Sequence, residues 1–207
     1  MKKKCFLIGF TLVIVIGLVF TYTRRFEGEA VSDGIANHVI RLHIIANSDM
    51  GKDQELKMAV KEEVVKEMRT KLAESKDINC AREILTANLG QMEEIAKEEM
   101  KKRGYSYTAG ATLSRSFFPV KKYGDMTFPE GQYEAVKIQL GEAKGKNWWC
   151  VMYPTLCFVD STYQVVPEES KDILKKDLTQ EEYQSLLEGE NITFDFKFLE
   201  WVEKLFQ

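Results

Sequence analysis

The chain has 207 residues, with 29 basic and 32 acidic side chains and 44% hydrophobic residues. Residues 1–25 hold five of the basic side chains and no acidic one, so the rest carries a net charge of about −8. Such a surface repels phosphate backbones, which argues against nucleic acid as a partner. The remaining ~180 residues can bury roughly 70% of their unfolded surface, enough for one core without a structural metal.

The N-terminus has the composition of an export signal. Lys2, Lys3 and Lys4 precede residues 5–23, which contain no charge and are rich in Leu, Ile, Val and Phe. At ~1.5 Å per residue, a helix of this length matches the ~30 Å apolar core of a membrane. The nearest small-x-small cleavage pattern comes several residues later, so an uncleaved anchor is favoured slightly over a removed signal peptide, and both stay open.

The chain therefore divides into three parts. Residues 1–25 are a signal sequence or membrane anchor, residues 26–37 a linker, and residues 38–207 a single extracytoplasmic domain. No repeat or Pro-rich segment interrupts the last part.

Hydrophobic periodicity predicts the first elements of the domain. Residues 39–46 are β-branched and predict a strand, and Asn47-Ser48-Asp49 offers oxygens to cap the helix that follows. Apolar side chains at steps of four predict that helix over residues 52–72. A second long helix is predicted over residues 79–103, where cations and a glycine mark its end.

Alternating polar and apolar residues predict a strand over residues 105–114. A long loop follows, then a strand over residues 133–140. The apolar run over residues 148–159 predicts a buried central strand, or a strand pair broken at Pro154. The fold class is α+β, with a mostly antiparallel sheet of about four strands and two long helices on one face.

The C-terminal part gives mixed signals. Thr179-Gln180-Glu181-Glu182 is a capping box that predicts a short helix. Residues 192–198 alternate as in a strand, and apolar residues over 198–206 fall at helical steps. That last element can pack on the domain or face a partner.

The cysteines and histidines leave alternatives open. Cys150 and Cys157 can close a disulfide across a hairpin, but on one continuous strand they would lie ~23 Å apart as buried free thiols, a slightly favoured reading. His38 and His43 are predicted on opposite faces of a strand, so no metal site is expected. An exported hydrolase using Cys150 with His43, oriented by Asp49 or Asp160, is the enzymatic alternative, although the apolar neighbours of Cys150 would suppress its reactivity.

Several segments together resemble one family, the stage II sporulation protein R family. The segments are IRLHIIANSD at 40–49, DQELK at 53–57, YG at 123–124, GQYEA at 131–135 and GEAKGKNWWCVMYPTLCFVD at 141–160. The likeness covers most of residues 38–160.

The resemblance implies a signalling role in endospore-forming bacteria. Members of this family are made in the forespore and exported to the space between the two membranes. There they trigger a membrane-embedded aspartic protease that processes the precursor of the mother-cell sigma factor. The resemblance thus implies a non-enzymatic protein with no cofactor and no small-molecule substrate. Membrane association through residues 5–23 is predicted separately, from their uncharged apolar composition.

The family brings no catalytic residues, so candidate positions are hypotheses about an interface. Four polar residues lie at one strand end, two more lie in the predicted long loop, and an aromatic pair is open to two interpretations, packing inside or contact with a partner. These residues are Arg41, His43, Asn47, Asp49, Arg115, Tyr123, Trp148 and Trp149.

Overall fold

A computed structural model describes residues 15–17, 19–20, 22, 28, 30–157 and 165–188. Most of the predicted anchor, residues 5–23, lies outside this part, as do Asp160 and the predicted elements over 192–206. Among the described residues, no helix combines the length and the apolar character that crossing a membrane requires.

Strands and helices alternate irregularly along the domain. The strands are β1 (Ile40–Ile45), β2 (Ala109–Phe118), β3 (Lys121–Tyr123), β4 (Met126–Phe128), β5 (Gly131–Leu140) and β6 (Asn147–Tyr153). Residues 30–36 are helical. The later helices are α1 (Gly51–Leu72), α2 (Ile78–Ala87), α3 (Leu89–Lys102), α4 (Glu168–Asp177) and α5 (Gln180–Glu188).

The fold is α+β, as predicted, but the main sheet is mixed. Its strand order is β2-β5-β1-β6. β1 runs parallel to β5 and antiparallel to β6, and β2 runs antiparallel to β5. Parallel neighbours need a long crossover, and here α1, α2, α3 and β2 supply it between β1 and β5.

The two sides of the sheet have different surroundings. On one side Leu42, Ile44, Val136 and Ile138 are fully buried beneath the helices. The predicted apolar stripe of α1, from Leu56 to Leu72, is buried there too, which confirms it. The opposite side, to which His43 and Lys137 point, is called the open face below. Within the part of the chain that the structure describes, the β3–β4 ribbon covers the end of this face that carries Arg41.

The second predicted helix is wrong as a single element, because it breaks at Asn88. The Asn88 side chain donates a hydrogen bond to the Ile84 carbonyl oxygen at 2.7 Å, and its backbone turns out of helical geometry. A side chain that bonds the preceding turn competes with regular helix hydrogen bonds. The result is two shorter helices, α2 and α3.

The predicted strand over 105–114 is displaced along the chain to Ala109–Phe118. Tyr105 and Tyr107 lie before it and reach α1, where their hydroxyls donate to the Lys52 carbonyl and the Asp53 carboxylate at 3.0 and 2.9 Å. The predicted long loop is also wrong. Arg115 lies in β2, and Tyr123 ends the first strand of the β3–β4 ribbon.

Among the described residues β6 pairs only with β1, so the apolar run after residue 147 forms an edge strand of the described sheet and not a central one. The strand ends at Tyr153, and the chain turns back so that the Leu156 amide donates to the Val151 carbonyl at 3.0 Å. Its apolar character reflects burial against the helices on one face and against this returning segment.

The C-terminal described part contains one confirmed helix start and one missed helix. The Thr179 amide donates to the Glu182 carboxylate at 2.8 Å, and the Glu182 amide donates to the Thr179 hydroxyl at 3.3 Å. This is the predicted capping box. The mixed-charge stretch before it folds as α4, with acidic residues in its first turn and lysines in its last.

Candidate interaction surface

The segment Asn47-Ser48-Asp49, predicted to cap α1, instead forms a turn that contacts a second turn of the chain. The N-cap of α1 is Met50, which makes no side-chain capping bond. Instead the Asn47 side-chain oxygen accepts the Glu142 amide at 2.9 Å, and an Asp49 carboxylate oxygen accepts the Lys146 amide at 2.6 Å. We call this contact between the β1–α1 turn (46–50) and the β5–β6 turn (141–146), together with the α1 side chains that brace it, the junction.

Asp53 is the buried centre of the junction, with only 1% of its surface exposed. Its carboxylate accepts hydrogen bonds from Asn47, Ser48 and Tyr107. Burial alone would raise the pKa of this carboxyl, but the three donors more than offset it, so the pKa lies below the usual Asp value. Asp53 is therefore an ionised acceptor that holds three elements together.

Lys57 closes the junction from the next turn of α1. Its ammonium donates to the Gln54 side-chain oxygen at 2.6 Å and to the Lys146 carbonyl at 3.0 Å. Burial lowers the pKa of Lys57, and the nearby Asp49 carboxylate opposes that shift. Gln54 in turn donates to the Ser48 carbonyl at 2.8 Å. The polar residues of the junction thus form hydrogen bonds with one another.

Two glycines allow the turns to approach this closely. Gly141 has φ +58°, and a Cβ there would overlap the Asn47 amide. A Cβ at Gly145 would overlap the Ser48 carbonyl. Both positions need glycine for steric reasons, which gives these motif glycines a structural explanation.

The open face carries one row of side chains that crosses the whole sheet. In the strand register, Thr112 lies opposite Lys137, Lys137 opposite His43, and His43 opposite Trp149. Lys121 from the ribbon lies above the Trp149 ring, 5.3 Å from its centre. We call these five residues the basic row.

His43 lies in the middle of the basic row and is 9% exposed. Its Nε2 is 3.0 Å from the Asn147 side-chain oxygen, and its ring stacks on Trp149 at 5.9 Å. Burial lowers the pKa of His43, the Asn147 hydrogen bond opposes this, and the positive charge of Lys137 adds to the lowering. The imidazole is thus neutral at pH 7.

Arg41, next to His43 on the same face, is completely buried. Its guanidinium lies 4.2 Å from the centre of the Phe118 ring and 4.7 Å from that of Tyr133, and it donates to the Tyr123 hydroxyl at 3.1 Å. No carboxylate of the described residues pairs with it. Burial in the same apolar surroundings raises the pKa of Tyr133 to about 12, although Arg41 acts in the opposite direction.

The eight predicted interface residues thus separate into distinct places. Arg41, His43, Tyr123 and Trp149 meet on the open face, and Tyr123 donates to the Trp149 carbonyl at 3.2 Å. Asn47 and Asp49 belong to the junction. The other two lie on the helix-covered side. Trp148 lies opposite Ile44, and the Lys61 ammonium nitrogen is 5.1 Å from the centre of the Trp148 ring. Arg115 lies opposite Glu134 in the strand register.

Sequence reasoning did not identify Lys137 and Thr112 as members of the basic row. The alternation of Tyr133, Ala135 and Lys137 along β5 puts them on one face and was available from the sequence. What the sequence does not give is the parallel register that sets Lys137 beside His43.

The structure places Cys150 and Cys157 in a disulfide, with 5.1 Å between their Cα atoms. The turn at Pro154 brings them together, so the free-thiol reading does not describe this structure. Cys150 shares the helix-covered side with Leu42, whereas His43 points to the open face. Side chains on opposite faces of a sheet cannot exchange a proton directly, so the predicted Cys150–His43 pair does not form.

The geometry describes an α+β domain whose motif residues mostly brace the fold, and the described residues leave one face of its sheet partly uncovered. Comparisons with known proteins agree with the resemblance seen in the sequence. A sequence model described as stage II sporulation protein R matches residues 36–163. The stage II sporulation protein R of Bacillus subtilis (strain 168) is 37% identical over 188 residues, covering 83% of each chain. This chain belongs to the stage II sporulation protein R family. No solved structure matches it.

Proposed function

We propose that this chain is an exported signal of sporulation that activates a membrane-embedded aspartic protease, which then processes the precursor of the mother-cell sigma factor. The observation that carries the proposal is membership of the sporulation family, at 37% identity over most of both chains. The protein acts by binding and not by catalysis.

Two features of the chain support action outside the cytoplasm, in the space between the two membranes of the sporangium. Residues 5–23 are uncharged and follow three lysines, as in export signals and anchors. The Cys150–Cys157 disulfide is typical of proteins in oxidising compartments. Residues 5–23 then hold the chain to the membrane, or lead it across and are removed.

An activator of this kind works by differential binding. A ligand shifts a conformational equilibrium only if it binds one state more tightly than the other. The chain therefore binds the active state of the protease more tightly than the inactive state, through a surface on its extracytoplasmic domain.

Co-expression in a bacterium that does not sporulate tests the proposal. The host would produce the protease, the sigma factor precursor and either this chain or a variant without residues 1–25. We expect cleavage only with the complete chain, because the truncated domain stays in the cytoplasm. Equal cleavage with and without the chain, or with the truncated variant, would contradict the proposal.

A further inference from the structure

The open face carries positive charge that no acidic side chain of the described residues pairs with. Lys137 and Lys121 make no ion pair with a described residue, and the strand residues that point to this face include no Asp or Glu. The domain as a whole has an excess of acidic side chains. A local cation cluster on an acidic protein is unusual enough to require an explanation, although surface lysines alone do not define a site.

Buried nitrogen atoms beside these lysines provide a second, independent observation. Arg41 Nε and Nη1, His43 Nδ1 and Trp149 Nε1 are buried and have no hydrogen-bond partner among the described residues. Arg41 is 0% exposed and His43 is 9% exposed. Unpaired buried polar groups are costly, and an unpaired buried charge more so, which makes an external acceptor favourable here.

We propose that the basic row binds a short extended acidic segment of a partner protein, with carboxylates at Lys137 and Lys121. This inference rests on the proposed function, under which the partner is the extracytoplasmic part of the protease. A carboxylate at the row would also add negative charge to the face that carries Arg41, which pairs with no carboxylate of the described residues. Neighbouring strands are ~4.8 Å apart, so the row spans about 14 Å, the length of roughly four extended residues.

A protein segment fits this face better than an anionic membrane does. His43 Nδ1 and Trp149 Nε1 are buried without a partner among the described residues, so an acceptor would have to enter between side chains, which a single carboxylate side chain does more easily than a layer of headgroups. The net negative charge of the domain also opposes approach to anionic lipid. Thr112 at the end of the row adds a hydroxyl that can bond a peptide backbone.

Charge reversal in the co-expression assay tests the inference. We expect Lys137→Glu and Lys121→Glu each to lower precursor cleavage about tenfold or more, because like charges face each other across an interface. Lys122→Glu is the matched control, since it makes the same change on the exposed neighbour of Lys121, and its cleavage should stay within about twofold of the unchanged chain. Normal cleavage by both row variants would overturn the inference while leaving the proposed function intact.

Zero-length carbodiimide cross-linking gives a direct readout that does not depend on cleavage. In membranes containing the protease, Lys137 should become linked to a protease carboxylate. Lys137→Arg retains the charge but removes the reactive amine, so the cross-link at this position should disappear. If no protease cross-link to Lys137 or Lys121 forms, the inference fails. Row-dependent binding to phosphatidylglycerol vesicles would overturn it in favour of lipid.

Discussion

The junction begins just after the end of β1 and the basic row crosses β1 at His43, but the two regions differ in how their polar groups are hydrogen-bonded. In the junction, Asp53 accepts three side-chain hydrogen bonds and Lys57 donates two. In and beside the row, buried nitrogens of Arg41, His43 and Trp149 have no partner among the described residues. The difference teaches that motif residues of one protein can have two roles. Polar groups that are hydrogen-bonded within the fold stabilise it, and polar groups without such bonds are available to a partner.

The largest effect on stability is expected from Asp53→Ala, which would test the junction. It leaves three donors without their acceptor and should lower the free energy of unfolding by about 3 kcal/mol. Urea unfolding at neutral pH measures this, with the exposed Glu55→Ala on the same helix as control, expected within about 0.5 kcal/mol. A loss from Asp53→Ala no larger than that of the control would show that the junction does not brace the fold.

The difference in stability between the unchanged chain and Asp53→Ala should depend on pH. The folded pKa of Asp53 lies below its ordinary value of 3.8, so its contribution is present above that pH and is lost as pH falls through the folded pKa. The stability gap between the unchanged chain and Asp53→Ala should narrow in that acidic range.

Removal of the disulfide should cause the next largest loss in the free energy of unfolding. Cys150 and Cys157 are seven residues apart, and closing so short a loop contributes about 2.5 kcal/mol in the chain-entropy account. The double variant with alanine at both positions should lose about that much in urea unfolding, while Cys80→Ala, which removes a free thiol, gives the control. If unfolding of the unchanged chain does not respond to a reducing agent, the disulfide is not a source of stability.

A pair of glycine substitutions separates a required glycine from an optional one. Gly145→Ala forces a Cβ onto the Ser48 carbonyl and should cost about 2 kcal/mol. Gly90→Ala, in α3 with open space around it, should stabilise the protein by about 0.5–1 kcal/mol. Thermal unfolding compares them, and equal shifts of both variants in one direction would argue against close packing at the junction.

The smallest effect concerns His43. Its folded pKa lies below the ordinary 6.5, so the unfolded state binds the proton more readily and stability falls as pH decreases below about 6.5. His43→Gln should show a smaller loss of melting temperature between about pH 7.5 and pH 5.5 than the unchanged chain. An unaltered pH response in His43→Gln would mean that another group titrates.

Local patterns predicted much of this fold. The stripe of α1, the strand β1 and the capping box at Thr179 follow from side-chain periodicity and capping chemistry alone. The helix α4 could have been found as well. Its first turn carries Glu168 and Glu169 and its last turn Lys175 and Lys176, the arrangement that the helix dipole favours.

The rest depends on contacts between residues far apart in sequence. The parallel register of β1 with β5 puts Lys137 beside His43, and no pattern within either strand specifies it. Asn47 resembles a helix cap in the sequence but bonds Glu142, 95 positions away. Whether a polar motif residue braces the fold or faces a partner is therefore decided by tertiary structure.

The most direct test of this division compares Lys137→Glu with Asn47→Ala, measuring both the free energy of unfolding and precursor cleavage per folded molecule. We predict that Asn47→Ala loses stability yet supports normal cleavage at a temperature where it is folded, and that Lys137→Glu keeps its stability but fails to support cleavage. Loss of cleavage by folded Asn47→Ala, together with normal cleavage by Lys137→Glu, would contradict the assignment of the junction to the fold and of the basic row to the partner.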